Sequence, residues 1–230
     1  MHKKKVIVLF VFLGFLFACK KYSEINSDVN GNLYIYGKLF IQDSINDNGM
    51  VKPLLKEVQV TIRYKNNPAI LYSTKTNAEG IFNFQNLTPN AEYTIIAQTE
   101  TGTDHFKALF SRDTSLVLND SKSNLNLSLL FDYAKQNGVL YTIKDNATNG
   151  LISGCNTCFF SSLQLALKDT CEYGLFTIPS NSNGLVLKTN LQPGRYYVLF
   201  KKDAGTLKLR ATDILDITAT GVVQKEIKLF

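Results

Sequence analysis

The sequence predicts an all-β chain, built as two tandem Greek-key β-sandwiches behind a short apolar leader. Three observations predict it. Apolar and polar residues alternate with period two, as along Val58-Gln59-Val60-Thr61-Ile62-Arg63-Tyr64 and Leu125-Asn126-Leu127-Ser128-Leu129. Clusters of Asn, Gly, Pro and Asp separate such runs, and no long window carries helical spacing. A block of residues near position 80 recurs near position 184.

The leader comes first. Met1-His2-Lys3-Lys4-Lys5 is positively charged, and Val6 to Ala18 follows without a charge. Thirteen residues at about 1.5 Å each fall short of a hydrocarbon core of about 30 Å. Residues 1–18 therefore suit a cleaved signal peptide and not a membrane span. The leader ends on Leu16-Phe17-Ala18-Cys19, which resembles a bacterial lipobox, with Leu at −3, a small residue at −1 and Cys at +1. Phe17 is bulkier than the residue usual there. The resemblance implies cleavage before Cys19, a diacylglyceryl group on its sulfur and an acyl chain on its nitrogen. A buried CH₂ is worth about 0.8 kcal/mol, so one chain binds a bilayer marginally and two or three anchor it.

Cleavage changes the charge. The full chain has 25 Lys and Arg against 19 Asp and Glu, a net +6. Without Lys3, Lys4 and Lys5 the remaining 212 residues carry +3, too little to predict a nucleic-acid partner. Hydrophobic residues at 45% and charged residues at 19% exclude a disordered tail, a collagen and a coiled coil. Lys20 and Lys21 would meet acidic headgroups beside the lipid, at about 1 kcal/mol each. The expected location is the cell envelope, on the outer membrane, with either face open.

Residues 19–32 read as the lipidated Cys and a polar tether, since Tyr22 to Asn32 is rich in turn formers. Residues 33–132 then form the first sandwich and 133–230 the second. Gly80, Asn86, Leu87, Pro89 and Tyr93 recur as Gly184, Asn190, Leu191, Pro193 and Tyr197, all displaced by 104 residues. Leu129-Leu130-Phe131 and Lys228-Leu229-Phe230 end the two copies alike. Each element has a local cause. Gly80 and Gly184 sit where a tight turn needs φ > 0. Asn-Leu-x-Pro sets an apolar anchor before a proline turn. Tyr93 and Tyr197 open the next strand, with the ring inside and the hydroxyl bonded at the corner.

The run Asn-x-x-Gly-x-Phe-x-Phe-x-Asn-Leu-x-Pro-x-x-x-Tyr, residues 77–93, resembles the carboxypeptidase regulatory-like, or transthyretin-like, family. The collagen-adhesin B-type repeats carry the same motif. The resemblance covers about residues 37–131. In the second copy, about 138–230, Val186 and Lys188 replace the two Phe and a Cys-containing insert appears. It implies a seven-stranded sandwich used as a spacer, adhesive or accessory module. It implies no active site.

Candidate chemistry is sparse. Cys155, Cys158 and Cys171 follow Cys19, in a compartment that permits disulfides. Cys155-Asn156-Thr157-Cys158 has CxxC spacing without the α/β unit of a redox motif, and zinc lacks a fourth ligand. A stapled loop is expected, in which Cys171 pairs with Cys155 or Cys158. Cys155 is preferred because Cys158 lies against apolar Phe159-Phe160. His105 has no partner nucleophile and reads as a loop residue. Asp43-Ser44-Ile45-Asn46-Asp47-Asn48-Gly49 reads as a turn, since it lacks the terminal Glu of a calcium loop. Tyr34-Ile35-Tyr36 and Tyr196-Tyr197 could stack on sugars, but alternate strand aromatics are expected in the core. Phe230 reads as the end of a closing strand, not of a membrane barrel.

The expected function is that of a non-enzymatic, lipid-anchored envelope protein acting as a structural, adhesive or binding module. The expected partners are the membrane, through the lipid, and a protein or surface polymer touched by loops 43–52 and 145–160. No cofactor or metal is expected. A fimbrillin-like pilus subunit and a glycan-binding surface lipoprotein are the alternatives.

Overall fold

The computed structural model describes residues 31–45, 47–102 and 107–230. The leader, Cys19, most of the tether and His105 lie outside the described residues. The first half holds β1 (Leu33–Gln42), β2 (Val51–Pro53), β3 (Gln59–Tyr64), β4 (Tyr72–Lys75), β5 (Ile81–Leu87), β6 (Ala91–Thr101), β7 (Ala108–Leu118) and β8 (Lys122–Phe131). The second half holds β9 (Asn137–Asp145), β10 (Asn156–Phe160), β11 (Phe176–Pro179), β12 (Leu185–Thr189), β13 (Gly194–Ala204), β14 (Leu207–Ile217) and β15 (Gly221–Leu229). A four-residue helix α1 (Leu163–Ala166) and a 3-10 turn at Cys171–Tyr173 lie between β10 and β11. The chain is all-β, and no helix among the described residues is long and apolar enough to cross a membrane.

Pairing gives the two halves one plan. In the first, β1 runs antiparallel to β5 and parallel to β8, forming one layer. The other layer is β4-β3-β6-β7, antiparallel throughout. Phe110 opposite Phe131 and Ser111 opposite Leu130 join the layers at one corner. In the second half β9 runs antiparallel to β12 and parallel to β15, and β11-β10-β13-β14 faces them. Its corner is fastened where Arg210 N–H donates to the Phe230 carbonyl at 3.0 Å and Phe230 N–H returns a bond at 3.2 Å. Short β2 has no strand counterpart in the second half, where a single bridge joins Lys144 and Leu151.

Alternation fills each interior. Ile35, Leu39, Phe82 and Phe84 share one buried cluster with Val60, Ile62, Tyr93 and Ile95. Val139, Tyr141, Ile143 and Val186 do the same with Phe159, Val198, Phe200 and Leu215. Each such side chain contributes about 1.5–3 kcal/mol of burial.

The repeat follows the plan residue by residue, with one slip. Gly80 (φ 78°) and Gly184 (φ 66°) take left-handed backbone. A Cβ at Gly80 would lie 2.4 Å from the Leu54 carbonyl oxygen, so space and conformation both require glycine. Asn86 (φ 58°) and Asn190 (φ 56°) share that conformation, and Leu87 and Leu191 are buried. Pro89 and Pro193 are exposed and precede Asn90 (φ 57°) and Gly194 (φ 151°), as turns with φ > 0 after proline demand. The Tyr93 hydroxyl accepts from Thr88 N–H at 2.8 Å. In the second copy this role passes to Tyr196, whose hydroxyl donates to the Gln192 carbonyl at 2.9 Å. The expectation for Tyr197 is corrected. Counted from the matched Leu, β13 starts one residue earlier than β6, three after Leu191 against four after Leu87, so it enters the core at Tyr196, and Tyr197 points to the other face beside Phe160 and Leu199.

The halves also meet each other. Leu140 and Leu187 of the second half belong to the first half's buried cluster, which includes Ile45 at 1% exposure, and Leu185 and Val222 pack against it. Asn181 Nδ2 donates to the Ile45 carbonyl at 3.0 Å, and Asn183 Nδ2 donates to Asn48 Oδ1 at 2.7 Å. Leu109 N–H donates to Gln136 Oε1 at 3.0 Å. The Thr189 hydroxyl donates to the Lys107 carbonyl at the 2.5 Å contact. The loop after β1 meets the second half through Ile45, a buried plug, and through Asn48, while Ser44 and Met50 stay exposed.

Candidate functional site

Outside the cores, the outer face of the β5-β1-β8 layer is the most distinctive surface. Ile35 points inward, so Tyr34 and Tyr36 point outward, 44% and 42% exposed. The expectation that these aromatics pack in the core is corrected, because among the described residues no second layer lies over the face they occupy. Two irregularities widen the strand around them. Between the pairs Leu33–Leu87 and Ile35–Phe84, Tyr34 faces both Gln85 and Asn86. Between Ile35–Lys122 and Gly37–Leu125, Tyr36 faces both Ser123 and Asn124. Bulges of this kind twist a strand and re-aim its side chains. Left-handed Asn86 makes the first one, and the Ser121 hydroxyl accepts the Tyr34 N–H at 3.1 Å.

The result is an open groove of about 620 Å³, lined by Tyr34, Tyr36, Asn83, Gln85, Asn86 and Ser123 among others, none of them charged. Among the described residues, none of these six side chains is engaged in a hydrogen bond, so their amides and hydroxyls face solvent. The nearest cation along β1, Lys38, lies over the Phe40 ring, 6.0 Å from its centroid.

The cysteines occupy a different place. Cys158 and Cys171 form a disulfide, and Cys155 is free and buried. The preferred Cys155–Cys171 pairing is thus corrected, and the reason is the period of β10. Cys155 and Phe159 face the main core, whereas Cys158 and Phe160 face outward, under α1. There Cys158, Phe160, Ala166 and Leu199 form a small cluster of their own, with Leu165, Cys171 and Tyr197 around it. The apolar neighbours of Cys158 mark that second core. Burial pushes the Cys155 thiol up to about 11, against the opposing pull of the Lys201 backbone bond and the Lys202 and Arg210 charges. Such a thiol is protonated at neutral pH and a poor nucleophile.

Other chemical groups are structural. Asp43 Oδ1 accepts from Ile45 N–H at 2.9 Å and shapes the junction loop. No group of three metal-ligating side chains occurs among the described residues. Tyr141 is buried and donates to Asp213 Oδ2 at 2.8 Å, while Lys225 Nζ donates to both Asp213 oxygens at 2.8 and 2.7 Å. Burial first, then the Asp213 carboxylate, raise the Tyr141 phenol well above its ordinary range. This cluster ties β9, β14 and β15 together across the corner. Beside it runs a shallow cleft of about 560 Å³, lined by Ala211, Thr212, Glu226, Ile227, Lys228 and Phe230.

The repeat also matches side-chain hydrogen bonds at two further pairs of positions. The Thr76 hydroxyl accepts from Val58 N–H and donates to the Lys56 carbonyl, both at 2.8 Å. The Ser180 hydroxyl does the same between Cys155 N–H, at 2.9 Å, and the Ile152 carbonyl, at 2.7 Å. Asn77 Oδ1 accepts from Glu79 and Ile81, and Asn181 Oδ1 from Asn183 and Leu185. Both pairs keep the 104-residue displacement, which was the available signal.

No protein-family model matches the chain. A search of curated proteins gives no match either. Among solved structures, the chain is similar to the shaft pilin SpaA of Lactobacillus rhamnosus GG, at 13% identity over 86% of this chain and 96% of that one, with TM-score 0.31. It is similar to the pilus backbone RrgB of Streptococcus pneumoniae at 12% identity, over 83% of this chain and 58% of that one, with TM-score 0.32. A putative carbohydrate binding protein of Pseudomonas aeruginosa matches 44% of this chain and 88% of its own, at 16% identity and TM-score 0.28. TM-scores at this level do not establish a common fold.

Proposed function

We propose that the chain is a non-enzymatic, lipid-anchored envelope protein whose two transthyretin-like sandwiches form a stiff spacer carrying a binding face. The junction carries this reading. Ile45, Leu140 and Leu187 bury one continuous apolar surface between the halves, and side-chain amides bond across it. An apolar, hydrogen-bonded interface opposes the free domain motion expected of a polar linker. The lipobox-like Leu16 to Cys19 supports the anchor, and the polar residues 20–32 supply the reach.

Two measurements test it. Cells grown with labelled palmitate are expected to label the protein, and Cys19→Ala is expected to abolish the label; an unlabelled wild type refutes the anchor. Small-angle scattering of the mature protein is expected to fit one rigid two-sandwich body. A profile that needs a broad distribution of domain arrangements refutes the spacer.

A second reading, a fimbrillin-like pilus subunit, draws support from the corner between β14 and β15. Backbone bonding there, among the described residues, is confined to Arg210 and Phe230, which leaves long strand edges for another chain. Filaments whose length grows with protein concentration would favour it. A monomer at every concentration excludes it.

A further inference from the structure

We propose that the groove over Tyr34 and Tyr36 is a binding site for a neutral oligosaccharide. Two sugar rings would stack on the tyrosines, and their hydroxyls would bond the side chains of Asn83, Gln85, Asn86 and Ser123. The proposal gives the binding face of the spacer a ligand class, and to that extent rests on the reading above.

Four observations carry it. The two rings stand on one face of one strand, exposed and next to each other, where water would otherwise cover them. A pyranose presents one face of C–H groups, which suits an aromatic ring, and an edge of hydroxyls that each donate and accept. A primary amide also carries both a donor and an acceptor, so Asn and Gln match that edge without a charge. The lining residues are uncharged in a chain with 19% charged residues. An anionic or cationic ligand would find no counter-charge in the groove. A purely apolar ligand would strip water from the amides without replacing its bonds. The two bulges place a pair of polar residues opposite each tyrosine, so each ring has its own set of hydrogen-bonding neighbours. Tyr, Asn and Ser together give rigid contact area and adaptable bonding at low entropy cost.

The repeat supplies the fourth observation and argues against a protein occupant. Phe84 pairs with Ile35, and its counterpart Lys188 pairs with Val139. By that register Tyr34, Tyr36 and Asn83 correspond to Gly138, Leu140 and Leu187. In the second half this face packs against protein, and Leu140 and Leu187 are apolar and buried there. In the first half the same positions carry aromatic rings and an amide. The face is apolar where it meets protein and amphipathic where it meets solvent.

The test is affinity electrophoresis of the mature lipidated protein in detergent micelles, through gels holding dextran, laminarin, mannan or the anionic polymer alginate. At least one neutral polymer is expected to retard the protein, and added salt is expected to leave that retardation unchanged. The Tyr34→Ala/Tyr36→Ala variant is expected to lose at least tenfold in affinity, and Asn83→Ala/Gln85→Ala to lose affinity with unchanged thermal unfolding. Tyr173→Ala, which removes another exposed tyrosine, is expected to bind as the wild type does. No retardation by any neutral polymer overturns the proposal, as does retardation that survives loss of both tyrosines. Retardation by alginate alone, abolished by salt, overturns it too. So does sedimentation showing that the double variant dissociates a dimer, which would make the face an interface between copies. Scattering and palmitate labelling report on the spacer and the anchor whatever the gels show, so the two readings fail separately.

Discussion

Replacing Ile45 with alanine tests the junction directly. Ile45 is 1% exposed, on a loop of the first half that shares a buried cluster with Leu140 and Leu187 of the second. Ile45→Ala deletes three carbons, worth about 2.4 kcal/mol at about 0.8 kcal/mol per buried CH₂. The cavity left behind adds to this, and buried Ile→Ala changes span about 2–5 kcal/mol, so a loss of about 3 kcal/mol is expected. For a chain of this size that corresponds to a fall of about 6–12 °C in Tm. The site of the loss matters as much as its size. Because the plug couples the halves, wild type is expected to melt in one transition and Ile45→Ala in two, followed by differential scanning calorimetry. Ile45→Val keeps most of the plug and is expected to lose about 1 kcal/mol and stay in one transition. A single transition for Ile45→Ala, within about 2 °C of wild type, would refute the coupling argument.

Three further outcomes follow from the same geometry. The Cys158–Cys171 bond closes a loop with a sequence separation of 13, so reduction is expected to remove about 3 kcal/mol from the second half, read as a lower Tm in reducing buffer. Cys155 has its folded pKa raised from 9.0 to about 11, so its stabilising contribution is full below pH 9 and falls as pH rises toward 11. Thermal unfolding is expected to show less alkaline loss in Cys155→Ala than in wild type, and native protein at pH 8 is expected to resist iodoacetamide at this thiol. Asp213→Ala removes the acceptor shared by Tyr141 and Lys225 and leaves a buried phenol unbonded, at a cost of about 2 kcal/mol, which urea unfolding can measure.

Much of the fold is legible along the chain because its causes are local. Alternation decides which side of a strand is apolar, and Gly80, Asn86 and Pro89 bend the backbone for reasons held within a few residues. Repetition of those signals at Gly184, Asn190 and Pro193 reveals a second copy before any contact is known. The slip at Tyr196 escaped because an ungapped alignment ignores a strand that starts one residue earlier. The cysteine pairing escaped for a related reason: apolar neighbours mark a core, but not which of two cores. Thr76 with Ser180, and Asn77 with Asn181, show that the repeat held more information than its most conspicuous positions.

The sequence by itself determined the strands, the turns and the duplication, since each depends on side chains close together in the chain. It also carries the lipobox-like Leu16-Phe17-Ala18-Cys19, which is a linear signal. Only the tertiary structure decided which faces remain open. Tyr36 and Leu140 occupy matching positions on matching strands, yet one is exposed and the other is buried. That difference arises because the face bearing Leu140 packs into the first half's buried cluster, whereas among the described residues nothing packs over the face bearing Tyr36. Burial of this kind depends on contacts between residues more than ninety positions apart, such as Ile45 and Asn181, and no local pattern encodes them.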